Sequence, residues 1–105
     1  MDKVFEALAS TPRRKILAYL SEVDLTAGEI ASRFEMTKPA ISKHLQILEN
    51  AGLVQASRKG QFILYSLVRE NLANTLNSFV QNVCPVSRPL KKESARIRRT
   101  RTSPR

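Results

Sequence analysis

The chain has 105 residues, the size of one domain or of one domain with a tail. Its 29 Val, Ile, Leu and Phe residues suffice for a small core, while no run of 18 apolar residues offers a membrane-spanning helix. Lys and Arg outnumber Asp and Glu by nine, unevenly: residues 1–83 carry a net +2 and residues 84–105 a net +7. That excess points to a polyanionic partner, nucleic acid before membrane surface. The opening segment MDKVFEALAS lacks the cationic-then-apolar layout of a signal peptide. A single cysteine, Cys84, forms no internal disulfide and fits a reducing, cytoplasmic compartment. With one His and one Cys, a zinc site built from those two residue types within one chain is excluded.

In chain order, Val4, Phe5 and Leu8 fall at helical spacing in residues 2–9, with Asp2 as the expected N-cap. Thr11-Pro12 reads as an N-cap followed by proline at the first helical position, opening a helix to about Leu20 that presents Ile16, Leu17 and Leu20. Arg13, Arg14 and Lys15 lie in its first turn, where the helix dipole disfavours cations; they either face an anion or form a solvated face. Thr26 and Glu29 match the capping box ahead of a short helix over residues 27–33. After a three-residue turn, Thr37 caps a helix over residues 38–50 that buries Ile41, Leu45 and Leu48, and Gly52 stops it. Two β-rich runs, residues 53–57 and 62–67, then flank Arg58-Lys59-Gly60-Gln61, a hairpin with a basic tip. A helical stripe returns with Val68, Leu72, Leu76, Phe79, Val80 and Val83, and Pro85 ends it. The predicted fold is mainly α with a β-hairpin wing, in a domain over residues 1–84. Residues 85–105, with three prolines and a block of arginines, read as a basic tail that is disordered when free.

The third and fourth helices fit a helix-turn-helix, with Ile30, Ala31, Phe34, Met36 and Ile41 where the two must pack; Glu35 stands where many such turns have Gly. A helix-turn-helix followed by a basic hairpin places the second helix in the major groove and the wing on the neighbouring backbone or minor groove.

Residues 4–83 resemble the ArsR-type winged-helix repressors of bacteria. The resemblance rests on FEALASTPRRKILAYL, LTAGEIASRFEMTKPAISKHLQILENAGLV and RKGQFILYSL, and most narrowly on Ser42-Lys43-His44-Leu45 through Ala51-Gly52-Leu53-Val54 with a wing ending in Tyr65. It implies a homodimer joined through the first and last helices, bound to an inverted-repeat operator in double-stranded DNA, in a cytoplasmic, nucleoid-associated setting. The dimer contacts would be Val4, Phe5 and Leu8 with Leu72, Leu76, Phe79, Val80 and Val83, stripes more apolar than one small core needs.

The exposed face of the second helix should carry Lys38, Ala40, Ser42, Lys43 and Gln46, with Thr37 at its start. Gln pairs with adenine, Lys with guanine, Ser with either, and Ala touches a thymine methyl, while Thr37 and one lysine fit phosphate. His44 matches a position commonly His in the family and either packs, contacts phosphate or reads a base. Arg58 and Lys59 are the wing candidates, Arg58 favoured for a narrow minor groove.

Metal-sensing relatives carry a cysteine pair in the third helix or His and carboxylate ligands on the last. Residues 28–33 hold no cysteine, and residues 68–83 hold only Glu70 and no His, so no metal ligand set and no cofactor is expected. The chain is similar to the branch lacking those ligands, the SdpR-like autorepressors, where release comes from an inducer protein, a small organic ligand or protein concentration. Cys84, just before Pro85, is either inert or a redox bridge between two copies. An enzyme is disfavoured, since one His and one Cys at opposite ends give no nucleophile–base pair and there is no Gly-rich phosphate loop. Two further functions stay open: non-specific nucleic-acid binding or an architectural role driven by the tail, and a winged helix used only for protein contacts, against which the basic wing and the net positive charge argue.

Overall fold

Side-chain oxygens fix three helix starts in the computed structural model, which describes residues 2–84 and 96–98. Its elements are α1 (Asp2–Leu8), α2 (Thr11–Leu20), α3 (Ala27–Ala31), α4 (Lys38–Asn50), β1 (Val54–Lys59), β2 (Phe62–Leu67) and α5 (Arg69–Val83). Thr26 and Glu29 form the expected capping box, Glu29 N–H donating to Thr26 Oγ1 at 3.1 Å and Thr26 N–H to Glu29 Oε1 at 2.9 Å. Thr37 Oγ1 accepts from Ala40 N–H at 3.3 Å. The cap of α2 is Ser10, not Thr11: its Oγ accepts from Arg13 N–H at 3.4 Å, and Pro12 follows within the first turn, where no donor is missed. Asp2 lies inside α1 rather than capping it, and α3 stops at Ala31, two residues short of expectation.

The chain divides into two units, Met1–Leu72 and Ala73–Arg105, with the boundary inside α5. In the first, Ile16 of α2, Ile30 of α3, Ile41, Leu45 and Leu48 of α4, and Leu53 are fully buried around one centre. Each such side chain contributes about 1.5–3 kcal/mol by leaving water. Val4 and Ala7 of α1 join this core, so Val4, expected at a dimer contact, is covered by its own chain at 6% exposure, while Phe5 and Leu8 are half-buried. The α3–α4 turn uses no positive φ, which is why Glu35 serves where glycine is common. Phe34 in that turn meets Tyr19 of α2 edge-to-face, ring centroids 5.8 Å apart at 83°.

Gly52, at φ 75°, ends α4, and Asn71 Nδ2 donates to its carbonyl at 2.8 Å. β1 and β2 pair antiparallel from Val54–Leu67 to Lys59–Phe62, leaving a two-residue turn, Gly60-Gln61. Only Gly60 has positive φ, 61°, the pattern of a type II′ hairpin. Arg58 and Lys59 therefore belong to the strand, not to a loop tip. Leu25 adds a bridge to the other side of β2, exchanging two backbone hydrogen bonds with Tyr65 at 3.2 and 2.8 Å. Arg69 donates to the Ser21 carbonyl, holding the start of α5 to the end of α2.

The first-turn arginines of α2 face neither an external anion nor open solvent alone. Arg13 Nε donates to Ala7 O at 2.8 Å and Nη2 to Glu6 O at 3.1 Å, and Arg14 Nη1 donates to Leu8 O at 2.6 Å. Cations at the carbonyl end of α1 satisfy acceptors that the helix itself leaves open.

In the second unit, Leu76 is half-buried, while Phe79, Val80 and Val83 are 45%, 40% and 60% exposed. Cys84 N–H donates to Val80 O at 2.8 Å and the residue is half-buried. Residues 96–98 are helical and exposed. The expectation of a disordered tail falls, apart from these three residues, outside the described ones.

Candidate nucleic-acid interface

The site is built on α4, whose 100° step per residue separates a core stripe from an outer face. Ile41, Leu45 and Leu48 occupy the stripe. Lys38, Ser42, Lys43 and Gln46 are exposed as expected, and Thr37 is exposed at the start. Because Thr37 Oγ1 accepts the cap bond, its hydroxyl hydrogen stays available as a donor. Ala40 is half-buried, at the margin of the face rather than on it. Pro39 and Asn50, absent from the expected contacts, are exposed and line up with Lys43 and Gln46 at intervals of four, three and four. A helical wheel centred opposite Ile41 and Leu45 finds both.

One margin of the face, Lys38 and Ser42, borders a cleft whose far wall is Phe62 and Ile63 of β2. The other margin holds His44, half-buried, with Nδ1 3.2 Å from Arg13 Nη1. Burial and then the Arg13 guanidinium push the His44 pKa below its ordinary 6.5, so the ring is neutral at pH 7. Arg58 and Lys59 are exposed on consecutive strand positions and so project from opposite faces of the hairpin. One can follow a groove while the other meets the backbone beside it; the two do not act as one patch.

Among the described residues no group of three His, Cys, Asp or Glu could hold a metal ion. Among the same residues no helix is long and apolar enough to cross a membrane.

Residues 11–56 match the profile of the bacterial regulatory proteins of the arsR family. The chain is 48% identical over 77 residues to the transcriptional repressor SdpR of Bacillus subtilis, covering 73% of this chain and 86% of that one. This chain belongs to the ArsR family. An ArsR-like transcriptional regulator from a Rhodococcus species superposes with a TM-score of 0.75 at 28% identity, covering 97% of this chain and 90% of its own. A homodimeric winged helix-turn-helix DNA-binding domain from Mycobacterium bovis superposes at 0.65 with 34% identity, covering 78% of this chain and 75% of its own. The fold is accordingly the winged helix-turn-helix of the ArsR regulators, and this ArsR-family chain is a DNA-binding transcriptional regulator rather than an enzyme.

Proposed function

We propose that this ArsR-family chain is a homodimeric repressor that occupies an inverted-repeat operator in its own or a neighbouring promoter and thereby competes with RNA polymerase. The observation that carries the reading is the outer face of α4, where Lys38, Ser42, Lys43 and Gln46 stand exposed above a fully buried stripe. In this reading Lys43 and Gln46 contact base edges, Ser42 either a base or phosphate, and Ala40 a thymine methyl at the margin. Thr37, Lys38 and His44 hold phosphate, and Arg58 and Lys59 extend the contact to the minor groove and the adjacent backbone.

Two copies join through α5, whose Leu72, Leu76, Phe79, Val80 and Val83 repeat at helical spacing with no residue of the helix buried, and through Phe5 and Leu8 of α1. The homodimeric Mycobacterium bovis domain supports this assembly. Such a dimer spaces two recognition helices about one turn of DNA apart. The SdpR likeness supports repression as the direction of control. The workplace is the cytoplasm, on the nucleoid, and the basic tail adds sequence-independent phosphate attraction.

The test is binding to the DNA upstream of its own coding sequence against a scrambled duplex of equal length at about 150 mM salt, where non-specific attraction is already weakened. Strong preference for the native fragment is expected. Equal binding to both, persisting after removal of residues 87–105, would overturn autoregulation through that fragment.

A further inference from the structure

Arg13 commits its whole guanidinium fork to three acceptors in two other helices. Nε and Nη2 donate to the Ala7 and Glu6 carbonyls at the end of α1, and Nη1 lies 3.2 Å from His44 Nδ1 on α4. A guanidinium has no acceptor, so this last contact requires that Nδ1 carry no proton. The proton of the neutral ring is then on Nε2. Among the described residues the His44 ring bonds to Arg13 alone, and no buried side-chain nitrogen or oxygen lacks a partner. Nε2–H therefore reaches the surface, at the margin of the α4 face.

We propose that Arg13 is a positioning residue for DNA binding: by donating to Nδ1 it fixes the His44 proton on Nε2 and aims that N–H outward as a donor to a DNA phosphate. The proposal rests on the reading of α4 as the DNA-binding helix. It gives His44 a contact of a different kind from the lysines beside it. A neutral N–H is directional and releases no counterion, so it adds affinity without adding to the salt dependence. It also assigns a purpose to the arginine in the first turn of α2, which the helix dipole alone disfavours. Because the same fork grips α1, any movement of the end of α1 against α4 would be felt at the His44 ring.

The experiment has two arms. His44 is the only histidine, so long-range nitrogen–proton correlation spectra of the free protein, recorded above the imidazole titration range, report one ring. The expected wild-type spectrum shows Nε2 protonated and Nδ1 not; in Arg13→Ala both nitrogens shift toward the average of two exchanging tautomers. In the second arm, binding of wild type, His44→Ala, Arg13→Ala and the double variant is titrated against salt on the upstream fragment and the scrambled duplex. His44→Ala should weaken both duplexes about fivefold, the worth of one hydrogen bond, with an unchanged salt slope. The double variant should bind as His44→Ala does, because Arg13 acts through the ring. A wild-type proton on Nδ1, a salt slope reduced by about 1 in His44→Ala, or losses that multiply in the double variant would each overturn the proposal. Should Arg13→Ala fail to fold, the wild-type spectrum and the His44→Ala slope still decide it. A wild-type chain that binds neither duplex removes the DNA reading and the phosphate contact with it, while the spectrum continues to decide where Arg13 puts the proton.

Discussion

Arg13 on α2 and His44 on α4, 31 positions apart in sequence, meet with 3.2 Å between Nη1 and Nδ1. Burial first, and the guanidinium second, lower the His44 pKa from 6.5. Between the folded value and 6.5 the unfolded chain binds the extra proton and the folded chain does not. The stability associated with His44 is thus present in full above about pH 6.5 and is lost as pH falls through the folded value. Melting temperature followed down through that window should drop more steeply for wild type than for His44→Asn. Equal slopes would show that the ring feels neither burial nor Arg13.

Lys43 and Gln46 stand exposed one turn apart on the outer face of α4. Replacing either by alanine should cost about 1–3 kcal/mol of operator binding and relax the preference at one base position in each half-site. Competition with single-base operator variants reads the outcome. A uniform loss across all variants would place the side chain on phosphate instead.

The outer stripe of α5 makes a separate prediction. Val80→Asp puts a charge on a side chain that is 40% exposed, so folding of one chain should survive. Sedimentation should report half the wild-type mass, and affinity for a two-half-site operator should fall by about two orders of magnitude as the second contact becomes intermolecular.

Gly52 and Gly60 both have positive φ, 75° and 61°, but only one is crowded. Alanine at either position costs roughly 1–2 kcal/mol for the left-handed backbone. At Gly52 the added Cβ would also stand 3.2 Å from Asn71 Nδ2, whereas at Gly60 it meets open space. Urea unfolding should therefore show the larger loss for Gly52→Ala.

Removing residues 87–105 deletes eight cations and one acid. If about four of those charges engage phosphate, the slope of log affinity against log salt should shrink by about 3–4. An unchanged slope would leave the tail without a role on DNA.

Most of the fold was legible because local chemistry and global packing agree. The capping oxygens of Thr26 and Thr37, the stripe of Ile41, Leu45 and Leu48, and the stop at Gly52 all appear where the pattern puts them. What escaped depends on contacts distant in sequence. Ser10 and Thr11 are both competent caps, and their order is decided by which hydroxyl reaches Arg13 N–H. The partners of Arg13 and Arg14 lie in another helix, so charge position alone could not find them. The strand length of the wing follows from Gly60 taking the first turn position, which moves Arg58 and Lys59 into the ladder. On α4 the site residues follow from periodicity, while the half-burial of Ala40 and His44, one turn apart, sets both at the margin of the exposed face.

The backbone exchange between Leu25 and Tyr65 adds a one-residue bridge on the outer edge of β2 in the inner half of the wing, whose sheet has two strands. A two-stranded hairpin alone is marginal in water, so the bridge divides the wing into an anchored root and an unsupported tip beyond Leu64. Amide exchange should be slow at Tyr65 and fast at the tip. Such a partition lets the tip change in length or charge without disturbing the root, so that one scaffold can be refitted to a different stretch of flanking DNA while its helices stay as they are.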